Sequence, residues 1–274
     1  MFSKFLHPLI KLLTSLVKGV DFYRQVKLDF VARPDDIFLV TYPRSGTTWT
    51  QMILYQLSSN GNTDFTHISR IFPYFERSLM FNTITVADLD KLPSPRIFKS
   101  HLPYDYIPKG AGKYIYIARN GQDVAVSYYH FHRTHLGFKG DFDEFFNLFL
   151  KGKVLYRSWF AHINGWLVHK DSPNVLFLWY EDMLKDSEKY IRKIADFCEF
   201  QIEPEQWPEI LKRTTFDFMK KHAKQFDPIT ERLLDDGLIQ DAFFRQGKAG
   251  EGKQCLTAEQ KILFQKNFDK YIDV

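Results

Sequence analysis

Three stretches of the chain concentrate residues that can hold an anion or move a proton. In the first, Ile37-Phe-Leu-Val-Thr-Tyr-Pro-Arg-Ser-Gly-Thr-Thr-Trp-Thr-Gln-Met-Ile-Leu, an apolar run passes through a short polar loop into an amphipathic pattern. That order suits anion capture. Gly46 lets backbone N–H groups turn inward, Thr47 and Thr48 add hydroxyl donors, and the start of the following helix adds its dipole. Arg44 supplies a fixed charge beside them. The loop is not a Walker A sequence, which needs G-x-x-x-x-G-K-[ST]; on residue types alone an ordinary strand-turn-helix stays open as the plainer reading.

The second stretch, Tyr114-Ile-Tyr-Ile-Ala-Arg-Asn-Gly-Gln-Asp-Val-Ala-Val-Ser-Tyr-Tyr-His-Phe, repeats the strand-loop-helix plan. Asn120 is placed to cap the helix, and Asp123 three residues later makes a loose capping box. Arg119 then stands at the strand end and Ser127 two turns into the helix, where both can face one anion; pairing of Arg119 with a surface carboxylate is the alternative. The third stretch, Arg96-Ile-Phe-Lys-Ser-His-Leu-Pro, carries His101 just past a short buried strand. A general base belongs there, although a lone histidine is more often structural.

The elements that must position these residues read as alternating strands and helices. Ile37 to Tyr42, Arg96 to Phe98, Tyr114 to Ala118 and Val175 to Trp179 are short apolar, β-branched or aromatic runs, and helical patterns follow most of them. The alternation predicts an α/β fold, one three-layer αβα domain over residues 1–274 with a central parallel sheet and ligands at the carboxyl ends of its strands. No linker or repeat divides the chain.

Composition narrows the function further. With 37 Lys+Arg against 33 Asp+Glu, the net charge of +4 is mild, no run of five or more basic residues appears, and nucleic acid is not expected as a partner. Cys198 and Cys255 lack metal-ligand spacing, so neither a zinc site nor a disulfide framework is expected, and a reducing, cytoplasmic location follows. In residues 1–20, Phe2, Phe5, Leu6, Leu9, Leu13, Leu16, Val17 and Val20 recur at helical spacing, interrupted by Lys4, Lys11 and Lys18. That pattern predicts an amphipathic helix packed on the domain or resting weakly on a membrane surface, and neither a secretory signal nor a membrane span.

The three stretches together resemble the cytosolic sulfotransferases, whose signatures run close to T-Y-P-K-S-G-T-T-W, K-T-H-L-P and R-N-P-K-D-V-A-V-S-Y-Y-H-F. The resemblance continues in order through Ala32-Arg-Pro-Asp-Asp, Trp179-Tyr-Glu-Asp-Met, Thr214-Thr-Phe-Asp-Phe-Met-Lys-Lys and Phe244-Arg-Gln-Gly-Lys-Ala-Gly-Glu-Gly-Lys, covering residues 31–271. It implies transfer of a sulfuryl group from PAPS (3′-phosphoadenosine 5′-phosphosulfate) to a hydroxyl or amine of a small acceptor, releasing PAP without a metal. By the same resemblance, Arg44, Ser45, Gly46, Thr47 and Thr48 form a P-loop-like seat for the phosphosulfate, and Arg119 and Ser127 hold the 3′-phosphate. Trp49 and Phe216 sandwich the adenine, Tyr180 and Thr214 bond it, and Arg245, Gln246 and Gly247 close over the 3′-phosphate. His101 acts as base, with Lys99 and Arg44 as cations.

The chain also departs from the family pattern. Arg44 stands where lysine is usual, which keeps the charge but not a transferable proton. Gly121 replaces a proline at a helix start, which loosens that turn slightly without removing the anion site, whereas Gln246 and Gly252 replace a lysine and a tryptophan, so a weaker 3′-phosphate clamp and a more mobile lid are expected. Ala258 and Ile262 alter the stretch that usually forms a dimer, leaving monomer and dimer both open. A small-molecule kinase and a catalytically weak PAP-binding protein are the rival readings. The acceptor, a phenol, alcohol or amine, is expected to meet Thr63 to Asn82 and Thr134 to Phe149, which are rich in Phe and Tyr.

Overall fold

The computed structural model describes residues 29–80, 83–226 and 247–272. The expected helix over residues 1–20 therefore lies outside the described residues, as do Arg245 and Gln246 of the late loop. Strands β1 (Ile37–Thr41), β2 (Ile97–Ser100), β3 (Lys113–Ala118) and β4 (Val175–Trp179) form one parallel sheet in the order β2-β1-β3-β4. Their boundaries fall within a residue or two of those expected.

Strand alternation sorts the side chains onto two faces, each of which needs cover because both are apolar. Phe38, Val40, Phe98, Tyr114 and Tyr116 join one core, while Ile37, Leu39, Ile97, Ile115 and Ile117 join the other. Helix α1 (Thr47–Ser58) follows β1 and packs on the second face through Met52, Ile53 and Leu57. The short helix α2 (Phe75–Met80) precedes β2. After β3, helices α3 (Gly121–His135), α4 (Phe142–Leu150) and α5 (Trp159–Leu167) cover the first face, with Trp166 stacked on Tyr116 at 5.1 Å. After β4, α6 (Tyr180–Lys185), α7 (Ser187–Cys198), α8 (Trp207–Arg213) and α9 (Phe216–Lys221) return to the second, and α10 (Glu251–Cys255) and α11 (Ala258–Tyr271) end the chain near α3 and α5. The result is three layers, helix on sheet on helix.

Arg96 is not the first residue of β2. It precedes the strand, and its guanidinium is buried in a two-pronged bond to Asp36, with Nε 2.7 Å and Nη2 2.6 Å from the carboxylate oxygens. Both side chains are fully enclosed, so removing either partner would strand a buried charge. The pair fastens the amino ends of β1 and β2 and leaves their carboxyl ends to carry chemistry. Among the described residues no helix is long and apolar enough to cross a membrane.

Candidate functional site

The loops leaving β1, β2, β3 and β4 meet at the carboxyl edge of the sheet, where ligands gather in such folds. From β1, Arg44 and Gly46 take left-handed conformations (φ 69° and 92°) that turn the loop back on itself ahead of α1. A Cβ on Gly46 would lie 2.6 Å from Tyr180 Cδ2, so glycine is required here by both angle and space. Helix α1 has no side-chain cap and no acidic residue in its first turn, which leaves its dipole for an anion. Ser45 is buried, and its Oγ has no hydrogen-bond partner among the described residues. Thr48 is half-buried in the first turn of α1. Thr47 differs from the others: its hydroxyl lies 2.6 Å from that of Thr41, so it ties α1 to β1.

From β3, Arg119 converges on the same loop. Its Nη1 donates to Arg44 O at 2.9 Å and its Nη2 to Lys248 O at 3.1 Å, while its buried Nε has no partner among the described residues. Arg44 in turn donates from Nε to Ser127 Oγ at 3.1 Å, bridging the β1 loop and α3. Arg44, Arg119 and Ser127 therefore lie together. Ser45 Oγ and Arg119 Nε, both buried and without partners among the described residues, are able to donate, as a phosphorylated ligand requires.

Asn120 caps α3 as expected, accepting from the N–H groups of Gln122 and Asp123. The capping box does not form. The Asn120 N–H donates to Glu181 at 2.8 Å, and the buried Asp123 carboxylate instead accepts from Gly250 N–H and Gly252 N–H, both at 2.7 Å. The loop end expected to loosen is thus fastened to α3. Gly252 is required for the contact, since a Cβ would lie 2.6 Å from the Gln122 carbonyl carbon and 2.8 Å from Asp123 N. Gly121 likewise admits Trp159 and Phe264, whose rings would lie 2.8 and 2.5 Å from its Cβ, so this position is closely packed.

Of the residues expected beside the adenine, Trp49, Tyr180 and Thr214 lie together. Trp49 donates from Nε1 to Thr214 O at 2.8 Å and meets Tyr180 edge-on at 5.7 Å. The Thr214 hydroxyl donates to carbonyls of its own helix, Ile210 and Leu211, each at 3.0 Å, so this residue locates Trp49. Phe216 lies against Gly247, where a Cβ would approach the ring to 2.3 Å. Tyr180 is buried beneath Arg119, whose guanidinium carbon is 4.8 Å from the ring centroid.

His101, the candidate base, follows β2. His101 is buried, with Nδ1 2.7 Å from Thr41 O and 3.1 Å from Thr41 Oγ1. A carbonyl oxygen only accepts, so Nδ1 carries the proton and Nε2 is the basic atom. Burial first, and then the Lys99 charge, hold the imidazole well below its ordinary pKa of 6.5. His162 fixes the segment from behind, donating from Nε2 to His101 O at 3.0 Å and accepting from Tyr116 at Nδ1 at 2.9 Å. Burial lowers Lys99 to about 8 against the opposing pull of Glu76.

Glu76 was not evident in the sequence. Its Oε1 accepts the His101 N–H at 2.8 Å, its Oε2 is buried without a hydrogen-bond partner among the described residues, and burial raises its pKa to about 7. A single glutamate inside an aromatic segment carries no spacing signal. Tyr74 and Tyr156 were missed for the same reason; their rings flank His101 at 5.3 and 5.1 Å.

Comparison with known proteins bears on this geometry. A family model described as "Sulfotransferase domain" matches residues 34–273. Rabbit amine sulfotransferase is 37% identical over 253 residues, covering 88% of this chain and 82% of the relative. Human sulfotransferase 1C2 is 34% identical over 255 residues, covering 89% and 85%. The crystal structure of mouse sulfotransferase SULT7A1 complexed with PAP matches with a TM-score of 0.70 at 30% identity, over 91% of this chain and 88% of that one.

Proposed function

The chain belongs to the sulfotransferase domain family, and on that premise we propose that it moves a sulfuryl group from PAPS to a small acceptor, with His101 as general base and a single domain as the working unit. The observation that carries this is the convergence of Arg44, Arg119 and Ser127 beside the Gly46 turn, with the buried donors Ser45 Oγ and Arg119 Nε unengaged among the described residues. Those groups suit a nucleotide with phosphates at both ends. The Gly46 loop and the start of α1 would hold the phosphosulfate, and Arg119, Ser127 and the Gly247 loop the 3′-phosphate. Trp49, Phe216 and Tyr180 would enclose the base between aromatic faces.

The donor supplies an activated sulfur with a phosphate leaving group. The residues of the chain supply position and charge. His101 Nε2 takes the proton of the acceptor as its oxygen or nitrogen bonds to sulfur, while the bond from sulfur to the phosphate oxygen breaks and its electron pair stays on the phosphate. Arg44 and Lys99 balance the charge gathering on the transferred group and the leaving oxygen. Their positions are set before reaction by Ser127 and by the neighbouring Glu76, so little reorganisation is needed.

Incubating the purified chain with PAPS and a mixture of phenols, alcohols and amines tests the reading. Mass spectrometry should find one SO₃ added to an acceptor and an equal amount of PAP released. Donor consumed in equal amount without any acceptor, or none consumed at all, would count against it.

A further inference from the structure

Tyr156 and Arg157 hold a backbone conformation that few side chains adopt. Their φ angles are 68° and 60°, in the left-handed region that costs a residue with a Cβ about 1–2 kcal/mol. Two hydroxyls from the core keep that turn in place: Tyr128 donates to Leu155 O at 2.7 Å and Tyr42 to Arg157 O at 2.9 Å. Strain fastened on both sides marks a side chain whose direction matters. The side chain so directed meets the base. The Tyr156 ring lies edge-on to His101, and its hydroxyl is hydrogen-bonded to that of Tyr74, whose ring takes another edge of the same imidazole. Lys99 Nζ lies 4.4 Å from the Tyr74 ring centroid.

Two hydroxyls carry two protons, and the bond between them uses one. Among the described residues neither hydroxyl makes another hydrogen bond, so one proton remains to be given. Burial raises both phenols above their ordinary range, which keeps them protonated at any assay pH. An oxygen nucleophile has two lone pairs and can attack with one while accepting that proton on the other. An amine nitrogen has one lone pair, and a hydrogen bond to it blocks attack.

Resting on the donor reading above, we propose that Tyr156, with Tyr74, makes the site select a hydroxyl over an amine as its acceptor. The pair donates to the acceptor oxygen while the proton of that oxygen passes to His101 Nε2, the new O–S bond forms, and the bond from sulfur to the donor phosphate breaks with its electrons on the phosphate. The aromatic walls fit a flat molecule, so a phenol is the class that matches.

The test compares 2-naphthol with 2-naphthylamine, equal in shape, using PAPS and the full chain. Wild type should favour the naphthol. Tyr74→Phe and Tyr156→Phe made together keep the rings and remove both donors, whereas either alone leaves one hydroxyl with its proton free; the double variant should lower kcat/KM for the naphthol about tenfold, hold or raise that for the naphthylamine, and leave the KM for PAPS unchanged. The amine rate thus controls for misfolding. Equal losses on both acceptors, no loss on either, or a wild type that favours the amine would overturn the inference while the donor reading stands. A wild type that neither binds PAP nor sulfates either compound would overturn both.

Discussion

His101 Nδ1 lies 2.7 Å from the carbonyl oxygen of Thr41, so the last residue of the first strand fixes the tautomer of a histidine delivered by the second. Parallel pairing of Val40 with Ser100 sets that approach. With Nδ1 so engaged, the basic atom of this buried imidazole is Nε2, the atom proposed to take the proton of the acceptor.

The pH dependence follows from two shifts of the same sign. In the proposed mechanism His101 must be neutral to accept a proton, and its pKa is lowered well below 6.5, so the active form persists at every pH above that lowered value. Lys99 must be charged, and its pKa is lowered to about 8, so the active form is lost as pH rises through that value. Measured kcat/KM should therefore stay flat from pH 6.5 down to well below it and fall above about pH 8. His101→Ala should lower kcat by roughly 10²–10⁴-fold and leave PAP affinity nearly unchanged. A full-rate alanine variant would remove His101 from the mechanism.

Asp123 and Gly252 give a test of the donor side. Gly252→Ala drives a methyl group into the backbone of Gln122 and Asp123, which should cost about 1–3 kcal/mol and loosen the loop bound to Asp123. Gly252→Trp should be worse. Thermal unfolding should show the lower Tm and calorimetry a weaker affinity for PAP; an unchanged Gly252→Trp protein would contradict the described packing of α10 against α3.

The sheet and the loops at its carboxyl edge were legible in the sequence because buried parallel strands are continuous apolar runs and the loops between them carry Gly, Arg and Ser. Two relationships were not. Asp123 sits where a capping box predicts a local bond, yet its carboxylate serves Gly250 and Gly252, more than a hundred residues away; nothing local records that choice. The hydroxyls of Thr47 and Thr214, expected to meet ligand, are hydrogen-bonded within the protein, to the Thr41 hydroxyl and to the carbonyls of Ile210 and Leu211. Glu76 reaches His101 only because α2 lies against the end of β2. Hydrophobic periodicity reports burial, and buried polar partnerships depend on tertiary register.

Arg157 offers a separate check on the Tyr156 turn. Its side chain is exposed and its φ is 60°, so Arg157→Gly removes backbone strain without removing a buried contact. The variant should gain about 0.5–1 kcal/mol, seen as a Tm higher by a few degrees, with acceptor selectivity kept. A loss of stability would show that the left-handed geometry is not strained as described.

The most direct measurement of the central claim is a calorimetric titration of PAP against wild type, Arg119→Gln and Ser127→Ala, with adenosine 5′-phosphate as the control ligand. The two-seat arrangement predicts one PAP per chain, binding at least about 30-fold tighter than the control, and a loss of about 2 kcal/mol or more on removing Arg119. Equal affinity for the two nucleotides, or no heat with PAP, would contradict it.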